Sequence, residues 1–268
     1  MKHAVRRLAA AALVLYAVVL LMFSLQTHFI FPTHAVGPAG PLPKGAERLK
    51  LDTPDGETLH GMHIRPLHGN GDGTLILSFA GNAWNSQEAA SYIHQIYPDV
   101  DVIGFHYRGY RPSTGEPSAD ALLDDAVLVH DFAVDRLKAE RVVAVGFSIG
   151  TGVAAHLASQ RKLDGLILVT PFDSLKAVAA GHYPLLPIGA LFRHEMDSVA
   201  ALKKISTPTA IIAAENDSLI MPARTEALRK AVKTMSYDET IPGAGHNDIY
   251  HRSAFKDAMR EALAAVTR

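Results

Sequence analysis

The chain has 268 residues, 26 Lys and Arg against 27 Asp and Glu, and a formal net charge of −1. So balanced a charge gives no electrostatic footprint for nucleic acid. Apolar residues make up 48% of the chain, enough for a sizeable core, and the length suits one large α/β domain. Cysteine is absent, which excludes a disulfide framework, a thiol nucleophile, a cysteine zinc site and a lipoprotein anchor.

Lys2, Arg6 and Arg7 precede an unbroken apolar run from Leu8 to Phe23, which Leu25 extends past Ser24. As a helix rising ~1.5 Å per residue, about 18 such positions cover nearly the ~30 Å of bilayer hydrocarbon. A cleaved signal peptide is the competing reading. Its nearest small-residue cut sites, at Ala35 and Gly37 or Ala39 and Gly40, are each followed by proline, and the apolar run exceeds the ~7–15 residues of a signal core. An uncleaved anchor over residues 1–31 is therefore expected. With basic residues before the span and none after it until Lys44, the N-terminus belongs in the cytoplasm and the rest outside it.

Residues 32–47 carry Pro32, Gly37, Pro38, Gly40, Pro41, Pro43 and Gly45. They read as a semi-extended linker that stands the following domain, residues 48–268, off the membrane. Asp55-Gly56 marks a hairpin joining strands at 48–53 and 58–65. Buried-strand runs follow at 74–79, 101–107, 141–147, 165–170 and 209–214, with a last strand at 236–241. Helical patterns lie between and after them, clearest at 119–137 and 253–266. Alternating strands and helices predict a mainly parallel, eight-stranded sheet covered on both faces. The rhythm breaks at 171–205, where Tyr183-Pro184-Leu185-Leu186-Pro187 reads as a short cap over a pocket.

The most informative segment is Gly146-Phe147-Ser148-Ile149-Gly150, which follows an apolar β-branched run and opens a small-residue helical pattern. A strand turning sharply into a helix strains the turn residue and crowds both flanking positions, so glycine is needed there. The Ser148 hydroxyl is thereby held beside the N–H groups of a helix N-terminus. Serine is a weak nucleophile without a base, and the base needs an orienting acid. In a parallel sheet both belong at strand C-terminal ends. The strand at 209–214 is followed by Glu215-Asn216-Asp217, and the last strand by Gly243-Ala244-Gly245-His246. Ser148, Asp217 and His246 are thus the expected nucleophile, acid and base, in the order Ser, Asp, His. Asp173 and Glu215 are rival acids, and Asp217 would also serve as a plain turn or cap residue. Among 14 histidines, His246 stands out by position alone.

An oxyanion hole needs one N–H from the residue after the nucleophile, Ile149, and a second from the loop after the strand at 74–79, where Asn82 follows Gly81. Gly81, Trp84, Tyr183 and Leu186 are candidate substrate contacts. His60 with His63, or His246 with His251, offers no carboxylate pairing of a metal motif, and neither a metal nor another cofactor is expected.

By its motifs the chain resembles the α/β-hydrolase superfamily, and more narrowly its small, single-pass membrane-anchored serine hydrolases of the depalmitoylase-like branch. The likeness spans roughly 48–265 and rests on Ala80-Gly81-Asn82-Ala83, His106-Tyr107-Arg108-Gly109-Tyr110, the serine motif, the Asp217–Pro222 run and Gly245-His246-Asn247-Asp248. It implies the same triad and the same oxyanion residues. Two departures stand out: Ala80 replaces the histidine that usually braces the oxyanion loop, and His106 and Arg111 replace an acid and a glycine. The expected function is a membrane-anchored serine hydrolase that cleaves an ester or thioester, with an acyl lipid among its possible substrates. The alternative is a hydrolase-like binding module without catalysis.

Overall fold

The computed structural model describes residues 2–69 and 71–268; Met1, Asn70 and the side chains of Leu15 and Ala190 lie outside what is described. Eight strands form one sheet in the order β1 (Ala46–Asp52), β2 (Thr58–Ile64), β4 (Asp101–Phe105), β3 (Thr74–Phe79), β5 (Arg141–Phe147), β6 (Gly165–Val169), β7 (Thr209–Ala214) and β8 (Met235–Ile241). The two pairings of β2 are antiparallel and the rest are parallel. This is the eight-stranded, mainly parallel sheet that the sequence predicts.

The period-2 alternation of the strands splits the core in two. Leu75, Leu77 and Phe79 face one layer, built with α3 (Ala119–Leu137) and α4 (Ile149–Gln160). Ile76, Val143, Val145 and Ile212 face the other, closed by α2 (Ser86–Ile96) and α9 (Ser253–Val266). Helix α3 begins where the Ser118 side chain accepts from the Ala121 N–H, and α2 where Asn85 accepts from Gln87. Two strands end earlier than their apolar runs suggest. β6 stops at Val169 because Thr170 takes a left-handed φ of 48°, and β4 stops at Phe105, before the His106–Gly109 turn.

Between β6 and β7 come the short helices α5 (Leu175–His182), α6 (Ile188–Leu191) and α7 (Ser198–Leu202), where a cap was expected. After β7 comes α8 (Pro222–Arg229).

Residues Lys2–Ile30 form a single helix, α1, long and apolar enough to cross a membrane by length and composition. The segment after it departs from the expected stand-off. Phe31 is buried in the core, Asn85 donates to the Gly37 carbonyl and Gln87 to that of Gly40. A proline-rich strip has few backbone donors of its own, and the amides of α2 bond its carbonyls, holding it against the domain. The end of α1 is accordingly packed on the domain.

Candidate active site

Ser148 occupies the bend between β5 and α4 with φ 51° and ψ −117°, a backbone state that non-glycine residues avoid. The crowding around it explains its flanking glycines. A Cβ on Gly150 would lie 2.2 Å from the Phe79 carbonyl oxygen, and one on Gly146 2.4 Å from the Gly150 oxygen. Both obstacles are backbone, so neither position can yield by moving a side chain. The bend is held in place by the Ser148 N–H donating to Val169 and the Thr151 N–H donating back to the Ser148 carbonyl.

Around that bend the structure brings together three of the expected residues. His246 Nε2 lies 3.0 Å from Ser148 Oγ, and His246 Nδ1 lies 2.7 Å from Asp217 Oδ2. A carboxylate only accepts, so the proton belongs on Nδ1 and leaves Nε2 as acceptor for the serine hydroxyl. The other oxygen of Asp217 accepts from the backbone N–H groups of Leu219 and Ile220, at 2.9 and 2.7 Å. Asp217 is therefore a turn residue and the histidine's partner at once, with one oxygen for each role. All three side chains are buried.

The rival acids are engaged elsewhere. Asp173 pairs with Arg224 at 3.0 Å, and Glu215 accepts from the Gly243 N–H at 2.7 Å, bracing the loop that carries His246.

Ile149 opens α4, so its N–H is one of that helix's unpaired donors. The loop after β3 passes over the serine, with a Cβ on Gly81 falling 3.8 Å from Ser148 Cβ. Sequence reasoning left this loop without its histidine brace. Its carbonyls are instead held by two tyrosines, the Tyr107 hydroxyl donating to Ala80 at 2.9 Å and the Tyr110 hydroxyl to Asn82 at 2.8 Å. Burial raises the pKa of both phenols, keeping them protonated donors. The Asn82 amide donates to the Ile30 carbonyl, at the C-terminal end of α1, at 3.0 Å. The Tyr107 and Tyr110 roles were missed, although both lie in the His106–Tyr110 phrase that carried the family likeness.

His106 itself faces a small chamber behind β3 with Ser78 and Asp125, away from the triad. Desolvation, with help from the His60 and Arg48 charges, lowers its pKa to about 4, so it stands neutral.

Ser148 and His246 open into a cavity of about 340 Å³, also lined by Gly81, Asn82, Trp84, Tyr92, Leu219 and Tyr250. Its aromatic wall is continuous, with ring centroids of Trp84 5.1 Å from Tyr250 and 5.2 Å from Phe147. Of the expected substrate contacts, Gly81 and Trp84 line this cavity, while Tyr183 and Leu186 line an apolar groove against α1. The segment expected as a cap packs sideways onto a helix that sequence reasoning took to stand away from the domain. Tyr92 and Tyr250 were missed, and the signal was there in Tyr250, four residues after His246.

A family model for the alpha/beta hydrolase fold matches residues 67–204. The chain belongs to the α/β-hydrolase family. An uncharacterized protein of Mycobacterium tuberculosis is 32% identical over 95% of this chain and 93% of its own length. The lysophosphatidylserine lipase ABHD12 of Xenopus tropicalis is 30% identical over 70% of this α/β-hydrolase, which spans 57% of that longer protein. Among solved structures, an α/β-hydrolase of Vibrio vulnificus superposes with a TM-score of 0.71 at 19% identity, covering 90% of this chain and 92% of its own. The Pyrococcus furiosus esterase Pf2001 reaches 0.67, also at 19% identity, over 85% of this chain and 95% of that one. At such identity these two likenesses speak for the fold alone.

Proposed function

We propose that this α/β-hydrolase is a serine hydrolase that cleaves a carboxylic ester or thioester through an acyl-enzyme on Ser148. The supporting observation is the unbroken chain of contacts from Asp217 through His246 to Ser148, at 2.7 and 3.0 Å. As the Ser148 oxygen bonds to the substrate carbonyl carbon, His246 Nε2 takes its proton, and the Asp217 carboxylate stabilises the resulting imidazolium. The tetrahedral oxyanion is received by the main-chain N–H groups of Ile149 and Asn82. Collapse expels the alcohol or thiol, which takes the proton from His246. Water, deprotonated by the same imidazole, then attacks the acyl carbon, and collapse releases the carboxylic acid as His246 Nε2 returns the proton to Ser148 Oγ. His246 takes and gives back one proton in each half-reaction, so the cycle closes on this chain's own residues.

Acyl donors are the substrate class that the aromatic cavity wall favours, and the lipase activity named for the Xenopus relative agrees with that. The α1 helix would anchor the enzyme in a membrane, and Lys2, Arg6 and Arg7 before its apolar run orient the catalytic domain outside the cytoplasm. The binding-module reading rested on the Ala80 and His106 departures; against the first stand the Tyr107 and Tyr110 hydroxyls, which bond the carbonyls of that loop.

A fluorophosphonate probe tests the proposal. Wild-type protein should be labelled covalently and Ser148→Ala should not. A folded wild-type protein that resists labelling would sink it.

A further inference from the structure

The segment from Tyr183 to Phe192 reads Tyr-Pro-Leu-Leu-Pro-Ile-Gly-Ala-Leu-Phe and holds no charged residue, with His182 before it and Arg193 and His194 after it. Leu185 faces outward with almost nothing over it, at 96% exposed, and Tyr183 is 50% exposed. An apolar loop this bare is uncommon on a protein surface that meets water only.

Its neighbour explains it. The segment packs along α1, and between them runs an open apolar groove lined by Val19, Met22, Phe23 and Phe29 on one side and Tyr183, Leu186 and Ile188 among those on the other. The contact is fastened by polar groups at one level. Gln26 donates to the Leu191 carbonyl at 3.2 Å and accepts from the Arg193 N–H at 2.9 Å. Thr27 Oγ1 and His194 Nε2 are 2.8 Å apart, and the Arg193 guanidinium stacks 5.3 Å from the Phe23 ring centroid.

These contacts fix a depth. Gln26, Thr27, Arg193 and His194 form a polar belt where α1 meets the domain. Val19, also against the cap, lies about 10 Å further down the helix axis at ~1.5 Å per residue, inside the apolar run. Whatever solvent surrounds that part of α1 also surrounds the cap segment fastened to it.

We infer that residues 183–192 lie in the hydrocarbon of the leaflet from which the domain rises, and that the groove they form with α1 is filled by the acyl chain of a bilayer-resident ester substrate. The second half rests on the serine hydrolase reading. The groove and the Ser148 cavity have no lining residue in common, but hydrogen bonds join their surroundings at two places. Ile30 lines the groove, and its carbonyl holds the Asn82 amide of the cavity. At the second place, His182, next to Tyr183, bonds the carbonyl of Leu219, a cavity residue, at 2.7 Å. Groove and cavity are thus neighbours, one hydrogen bond apart at each of these two contacts.

The absence of cysteine makes the test clean. In the full-length protein reconstituted into phosphatidylcholine vesicles, bimane is attached to Leu185→Cys or, as a water-exposed control, to Lys233→Cys. Lipid carrying a nitroxide on its acyl chain should quench the Leu185 probe at least threefold more strongly than the control. Equal quenching overturns the membrane placement, whether or not the protein is an enzyme.

A second arm compares two esters. Leu185→Asp should lower the hydrolysis of a vesicle-borne long-chain ester at least fivefold while leaving p-nitrophenyl acetate within twofold of wild type. Unchanged rates on both would overturn the delivery role. A fall on both with a lowered Tm marks a folding defect, and the quenching result then decides. Wild-type protein inactive on both esters would remove the proposed function and leave the membrane placement to the quenching arm.

Discussion

The two ends of this site are built in different ways. Around Ser148 every constraint is backbone or buried: the bend is hemmed in by the Phe79 and Gly150 carbonyls, and Asp217 is held by two main-chain amides. Where α1 meets the segment after α5, the fastenings run through side chains of α1 that are only half-buried, Gln26 and Thr27, around an open groove. Chemistry that needs fixed geometry is placed on strand ends, where the fold cannot relax. Entry of a flexible chain is left to a seam that can adjust.

If that contrast is right, the largest losses come from the triad end. His246→Ala removes the group within hydrogen-bond reach that takes the Ser148 proton, and kcat should fall by about 10³–10⁶-fold with the Tm little changed. Steady-state turnover of a soluble ester, read beside a melting curve, checks both. A rate near wild type would remove the histidine from its role.

Next comes the bend itself. In Gly150→Val the new Cβ would fall 2.2 Å from the Phe79 oxygen and 2.7 Å from the Ala80 oxygen. Two strands and the oxyanion loop would have to move. We expect a destabilisation of at least about 3 kcal/mol, at the upper end for overpacking, and little soluble folded protein. A well-folded, active variant would show that the bend is softer than its geometry implies.

What could be read from the sequence divides along the same line. The Ser148 bend is a local pattern, a strand, two glycines and a helix within a dozen residues, and local sterics write it into the chain. Asp217 and His246 follow from one topological rule, that sites collect at the C-terminal ends of parallel strands. The α1–cap seam follows from neither, because Gln26 and Leu191 meet across 165 positions and no periodicity announces it. Proline and glycine in 32–47 suggested a free linker, since composition cannot tell which carbonyls a distant amide such as Gln87 will bond. The tyrosine brace was visible only as part of a phrase, with nothing local to say that two hydroxyls would reach the loop after β3.

That brace is where the rigid end and the adjustable end meet, and it gives the smallest predicted effect. The Asn82 carbonyl is held by Tyr110, and its amide by Ile30 at the end of α1. Tyr110→Phe keeps the ring, 6.0 Å from that of Tyr107, and deletes one hydroxyl. The net worth of such a bond is about 0.5–1.5 kcal/mol, so if it positions the Asn82 N–H for the oxyanion, kcat should fall about 2- to 12-fold. KM for a short soluble ester should stay the same, because the oxyanion develops only after binding. A structural role alone would lower the Tm and leave kcat intact. A fall in kcat at constant KM and near-constant Tm would instead mean that the loop is held from the domain side as well as from α1. The contact of the Asn82 side chain with Ile30 would then be one of two restraints on the residue whose main-chain N–H meets the oxyanion, and a shift of α1 in its membrane could alter the rate without dismantling the site.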